Sequence, residues 1–144
     1  SVGTLSFDTI ECQLARPVIY KLGHLFTEDC NYFRLVFFST DARLGDDGSL
    51  KNGVCFFAGI HSIAEEEPFA GEYPVSLEPL NQTLYYGHKE GNMFWGTSWM
   101  VVKSGSTVGK ANILEGAMNF ESFRKMDFQL KDQLGNEVTG SVDY

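Results

Sequence analysis

The sequence predicts an all-β domain, and three observations predict it. From Met126 apolar and polar residues alternate strictly, with Met126, Phe128 and Leu130 set against Asp127, Gln129 and Lys131. That is the period-two pattern of a half-buried strand. Fifteen glycines stand against four prolines, enough turn formers for many short strands. No segment keeps a 3.6-residue apolar period beyond two turns. Residues 115–125 are the best helical exception, and Asn119-Phe120-Glu121-Ser122 is a poor helix core. The architecture expected is an antiparallel β-sandwich, jelly-roll-like, with a closed β-barrel of lipocalin-like type as the alternative.

Taken in order, residues 4–16 alternate with Leu5 and Phe7 on one phase and Ile10, Cys12 and Leu14 on the other. The change of phase near Asp8-Thr9 reads as a bulge or bend. Pro17 marks a break or an edge, and residues 18–22 form a second short strand ended by Gly23. Residues 24–30 carry no clear pattern. Residues 31–40 are the most hydrophobic run, apolar on both faces after Arg34, as a strand covered on both sides would be. Residues 41–53 read as a polar loop, 54–63 as a strand, and 64–71 as a charged loop.

Pro74 puts the strand at 72–77 on an edge. Residues 83–86 and 93–103 are strands flanking a Gly- and His-containing loop. A turn at Ser104-Gly105-Ser106 leads to 108–114 and the closing hairpin, whose turn is Asp132-Gln133-Leu134-Gly135-Asn136. This makes about nine or ten strands. At 144 residues the chain has the size of one domain, 1–144.

Charge and composition narrow the function classes. The net charge is −8 and the basic residues are scattered, so no stripe exists to track a phosphate backbone and nucleic acid is not expected as a partner. No run approaches the ~20 apolar residues of a membrane span, so no transmembrane segment is expected. The chain opens almost directly into a strand pattern without a signal peptide, which reads as the folded part of a longer product. Cys12, Cys30 and Cys55 are odd in number and widely spaced; they support neither a CxxC zinc site nor a definite pairing. No cofactor is implied.

The residues that could carry chemistry are few. Trp95 and Trp99 fall on one face of a strand at 93–103 with Thr97 and Val101. Their indoles would stand roughly 13 Å apart, a span suited to stacking sugar rings. Tyr85, Tyr86 and His88 could join them from the neighbouring strand and loop. Two readings are open: a ligand platform, or aromatics of the sheet core. Asp41, Asp46 and Asp47 in one Gly-rich loop are the weak candidates for a metal, without EF-hand spacing. Glu65, Glu66 and Glu67 read as a solvated loop. No Gly-x-Ser-x-Gly, HExxH or Walker-type loop occurs, and no catalytic residue is assigned.

Glu67-Pro68-Phe69-Ala70-Gly71-Glu72-Tyr73-Pro74-Val75 resembles a step found in β-sandwich domains of secreted surface lipoproteins from Bacteroides-type gut bacteria. Leu114 to Phe120, Met126 to Asp132 and the close Gly135 to Tyr144 are similar to the strands that follow it there. Asn31 to Phe38 resembles an upstream strand of the same pattern, and residues 17–30 match nothing in it. The resemblance implies a bacterial β-sandwich that is secreted, periplasmic or displayed on the outer cell surface, binding a glycan or a surface protein without catalysis. The alternatives are a lipocalin-like barrel holding a small apolar ligand, and a jelly-roll enzyme acting on carbohydrate.

Overall fold

A computed structural model of the protein describes residues 1–80 and 91–144, apart from the side chain of Trp95. Eleven strands are named in chain order. They are β1 (Gly3–Phe7), β2 (Ile10–Leu14), β3 (Val18–Gly23), β4 (Asn31–Phe38), β5 (Arg43–Leu44) and β6 (Leu50–Ser62), then β7 (Gly71–Pro74), β8 (Gly91–Lys103), β9 (Ser106–Ser122), β10 (Lys125–Asp132) and β11 (Glu137–Asp143). Every ladder among the described residues is antiparallel. The all-β expectation holds, and no helix among the described residues is long and apolar enough to cross a membrane.

The strand order is β2-β1-β11-β10-β9-β8-β6-β4-β3, with β5 on β6 and β7 on β9. The two ends of that order are the segments on either side of Pro17. An isolated antiparallel bridge joins Leu14 to Ser39. Beside it Ala15 N–H donates to the Phe38 carbonyl at 2.8 Å and Thr40 N–H to the Gln13 carbonyl at 2.9 Å. Pro17 has no N–H to give to a ladder, so the chain leaves one partner there and takes up another.

Several local expectations change. The phase shift at Asp8-Thr9 is a two-residue turn between β1 and β2, with Asp8 at φ 51°. The loop at 41–53 contains β5, paired to the first residues of β6. Residues 115–122 continue β9 as a strand, because Met118 and Phe120 keep an alternation that β10 matches across the ladder. The strand read at 83–86 lies outside the described residues.

One contiguous core fills the inner face. It includes Phe33, Phe37, Phe56, Phe128 and Trp99, with the Phe56 and Phe128 rings stacked 5.0 Å apart. Asp132 sits among these apolar residues. It occupies the next inward position of β10 after Met126, Phe128 and Leu130, and is 3% exposed. Its Oδ2 accepts Trp99 Nε1–H at 2.8 Å and Asn136 Nδ2–H at 3.2 Å; its Oδ1 accepts the Leu134 and Asn136 backbone N–H groups, each at 2.9 Å. Burial pushes this carboxyl up, but the bond from Trp99 and the bonds from the turn outweigh it and hold the carboxyl below its ordinary range.

Asp132→Ala leaves the Trp99 N–H and two backbone N–H groups without an acceptor. The orphaned Trp99 donor is buried and costs about 1–3 kcal/mol, while the two turn N–H groups are only part-buried, so urea denaturation should show a loss of about 1–3 kcal/mol. A double-mutant cycle with Trp99→Phe should return a coupling within the roughly 0.5–3 kcal/mol known for contacting residues. Additive losses would mean that the two side chains act independently.

Candidate functional site

The outer face of β4, β6 and β8 is also apolar, which is why the sequence reads as continuous hydrophobic runs there. Cross-strand pairing sets Tyr32 beside His61 and His61 beside Asn92. The His61 ring stacks on Phe94 at 4.4 Å and meets the edges of Tyr32 at 5.2 Å and Phe26 at 5.8 Å. Phe26 comes from the segment before β4 and lies over this group, 4.8 Å from Tyr32. Gly59 lets the tyrosine lie flat: a Cβ there would stand 2.5 Å from Tyr32 Oη. Burial pushes the Tyr32 hydroxyl up, and the nearby Arg34 offsets part of that.

His61 is fully buried, and neither ring nitrogen has a hydrogen-bond partner among the described residues. Asn92 Oδ1, on the same face, is in the same state, while its Nδ2–H donates to the Glu78 carbonyl at 2.8 Å. Burial lowers the imidazole from 6.5 to about 4, so at neutral pH it is uncharged.

The apolar layer continues outward over β3. Val18, Tyr20, Leu22, Leu25 and Phe26 are 42, 50, 42, 60 and 41% exposed. Val18 pairs with Val36 and Tyr20 with Arg34. The Arg34 guanidinium lies over the Phe57 ring, 4.7 Å from its centroid. Five of the ten exposed large apolar side chains among the described residues thus lie on one strand and the segment after it, flanked by an arginine held on an aromatic ring.

Of the two readings open to Trp99, the structure takes the core one. Trp99 is 5% exposed and stacks on Phe7 at 4.3 Å. Gly109 makes room for it, since a Cβ there would stand 3.1 Å from the six-membered ring. Its indole cannot stack on a sugar without opening the core. Trp95 belongs to an irregular stretch of β8 between Phe94 and Ser98, where the register against β6 shifts. Thr97 Oγ1 holds that stretch, accepting Gly59 N–H at 3.1 Å and donating to the Phe94 carbonyl at 3.0 Å. The Trp95 side chain, Tyr85, Tyr86 and His88 lie outside the described residues.

Asp47 accepts Ser49 N–H and Ser49 Oγ–H within its own turn, and those two bonds, the hydroxyl first, lower its carboxyl. Asp41 lies near Cys12 and helps burial raise that thiol. Among the described residues no group of three or more His, Cys, Asp or Glu could hold a metal ion. Cys12, Cys30 and Cys55 are all free. No protein-family model, curated protein or solved structure matches the chain.

Sequence reasoning missed His61. A lone histidine in an apolar run was a signal, but its neighbours come from three other stretches of chain. Unfolding frees the imidazole to take a proton below pH 6.5, so stability is full above 6.5 and falls as the pH drops towards 4. Urea denaturation across that window should show a slope approaching about 1.4 kcal/mol per pH unit from this group, absent in His61→Phe. The same substitution removes two orphaned nitrogens and should be neutral or stabilising at pH 7. An unchanged slope would assign the pH dependence to other groups.

Burial, the largest cause in each case, pushes the Cys12 and Cys30 thiols up to about 11 and Cys55 to about 12. A thiol reagent at pH 8 should therefore label the folded protein slowly and all three cysteines at once in denaturant. Rapid labelling of the native protein would contradict this burial.

Proposed function

We propose that the protein is a non-catalytic binding domain that docks a partner protein through the outer face of β3 and β4. One observation carries the reading: Val18, Tyr20, Leu22, Leu25 and Phe26 are exposed together and continue an aromatic layer that is already buried. Contiguous exposed apolar surface of this kind marks interaction sites. Tyrosine, phenylalanine and arginine are the residues that interfaces favour. On the resemblance to surface lipoprotein domains, the partner is met outside the cell or in its envelope.

For a second reading, the barrel, the Leu14–Ser39 bridge and its two flanking hydrogen bonds are the support. They favour a meander that closes on itself over a sandwich of two separate sheets. A lipocalin-like role would also need room inside, and large side chains such as Phe33, Phe37, Phe56 and Phe128 occupy the inner face. The proposal therefore places binding on the outside of the sheet. Glycan binding would use the exposed Phe26 in place of the buried Trp99.

The test is site-directed photo-cross-linking in native-cell extract. A cross-linkable residue at Tyr20 should give a discrete protein adduct, and the same residue at Leu134, an exposed apolar position in the β10–β11 turn, should give none. Equal labelling at both positions would remove the case for this face. A soluble polysaccharide that raises the melting midpoint of the wild type but not of Phe26→Ala would replace the protein partner with a glycan.

A further inference from the structure

We infer that the partner presents an extended segment that adds to the free edge of β3 as a further strand and carries a carboxylate for Arg34. The inference rests on the docking reading above and names the chemistry of what docks.

Among the described residues β3 pairs only with β4 and ends the strand order. An edge strand leaves alternate N–H and C=O groups without ladder partners. Here the open stretch is bounded. Pro17 precedes it, and the register against β4 shifts between Lys21 and Gly23. Between them Val18, Ile19, Tyr20 and Lys21 keep regular pairing. Lys21, the one charge in the stretch, is drawn towards Glu66 of the β6–β7 loop, 3.7 Å away. The edge is thus short, regular and flanked by exposed Val18 and Tyr20. Main-chain pairing would supply affinity along it, and alternate side chains would supply selectivity.

Arg34 sets the charge of the partner. It is exposed, stands opposite Tyr20 in the ladder, and has no carboxylate partner among the described residues. An added strand would run about 10 Å from β4, two strand spacings away. An arginine and a glutamate side chain together bridge that span. On binding, the guanidinium would exchange the Phe57 ring for a charge-assisted bond, the stronger of the two at a desolvated site. A second copy fits less well, because a β3–β3 pair would bring two Arg34 side chains together on chains that each carry a net charge of −8.

The test begins with phage-displayed random ten-residue peptides selected on the immobilised full chain. Enriched peptides should alternate β-branched or aromatic residues with polar ones and carry Asp or Glu. A synthetic copy should lose at least tenfold in affinity against Arg34→Glu, a surface variant whose melting midpoint is checked first. Methylating alternate backbone amides of the peptide should abolish binding in one phase and spare it in the other.

Insensitivity to both methylation phases would overturn strand addition. Peptides without acidic residues, or indifferent to Arg34→Glu, would overturn the charge assignment. A dimer by light scattering that dissociates in Tyr20→Lys would make the occupant a second copy. Failure to enrich any peptide would also overturn the inference; a discrete cross-link at Tyr20 would then show that the docking reading survives it.

Discussion

Asp132 and Trp99 form the contact on which the inner face depends. A carboxylate at 3% exposure is tolerated only when its lone pairs are filled. The turn after β10 fills most of them, and the indole of β8 supplies one more. The same four bonds therefore close the β10–β11 turn and tie it to a strand two positions away in the sheet. The indole is fixed in turn by Phe7 of β1 and by the space at Gly109 of β9. The contacts of this cluster thus reach the consecutive strands β8, β9 and β10 and, through Phe7, the distant β1, and an apolar core alone would leave their alignment less specified.

The outer face is built on a different rule. Inside, side chains pack against an opposing wall of the same sheet. Outside, β4, β6 and β8 have no second layer of regular structure among the described residues, and the covering comes from the segment that carries Phe26 and from the residues around Leu80. Cys30 Sγ–H donates to the Leu80 carbonyl at 3.3 Å, and Asn31 Nδ2–H to the Ala64 carbonyl at 2.8 Å. These bonds pin irregular chain over an aromatic layer. The cover thins towards β3, and there the apolar surface meets solvent. His61 lies where the cover is complete, which explains why its ring is buried and neutral.

We place the proposed docking on this face because of an imbalance. The chain is acidic overall, yet here an exposed arginine lies on a phenylalanine ring beside an exposed tyrosine and valine. On β10 the outward positions are polar, with Asp127, Gln129 and Lys131. A strand that needs only water on its outer side follows that rule, and β3 departs from it.

The sequence by itself determined the class of fold and much of its strand content, because alternation is a local property. Met126, Phe128 and Leu130 pointed inward as their spacing required, and the closing hairpin formed around its glycine turn. Residues 31–40 read as a strand covered on both sides; Asn31–Phe33 and Leu35–Phe37 are buried, while Arg34 is exposed and Phe38 half-buried. Pairing and cover were decided only in three dimensions. Asp132 looked like a turn residue, and its inward phase after Leu130 was the legible hint of its role. Trp99 allowed two readings, and the strands brought against it, β1 and β9, chose the core. His61 and Phe26 are 35 positions apart in the numbering, and Arg34 and Tyr20 face each other only through the β3–β4 register. Local patterning states which side of a strand is apolar; which neighbours cover that side depends on contacts that no local window contains.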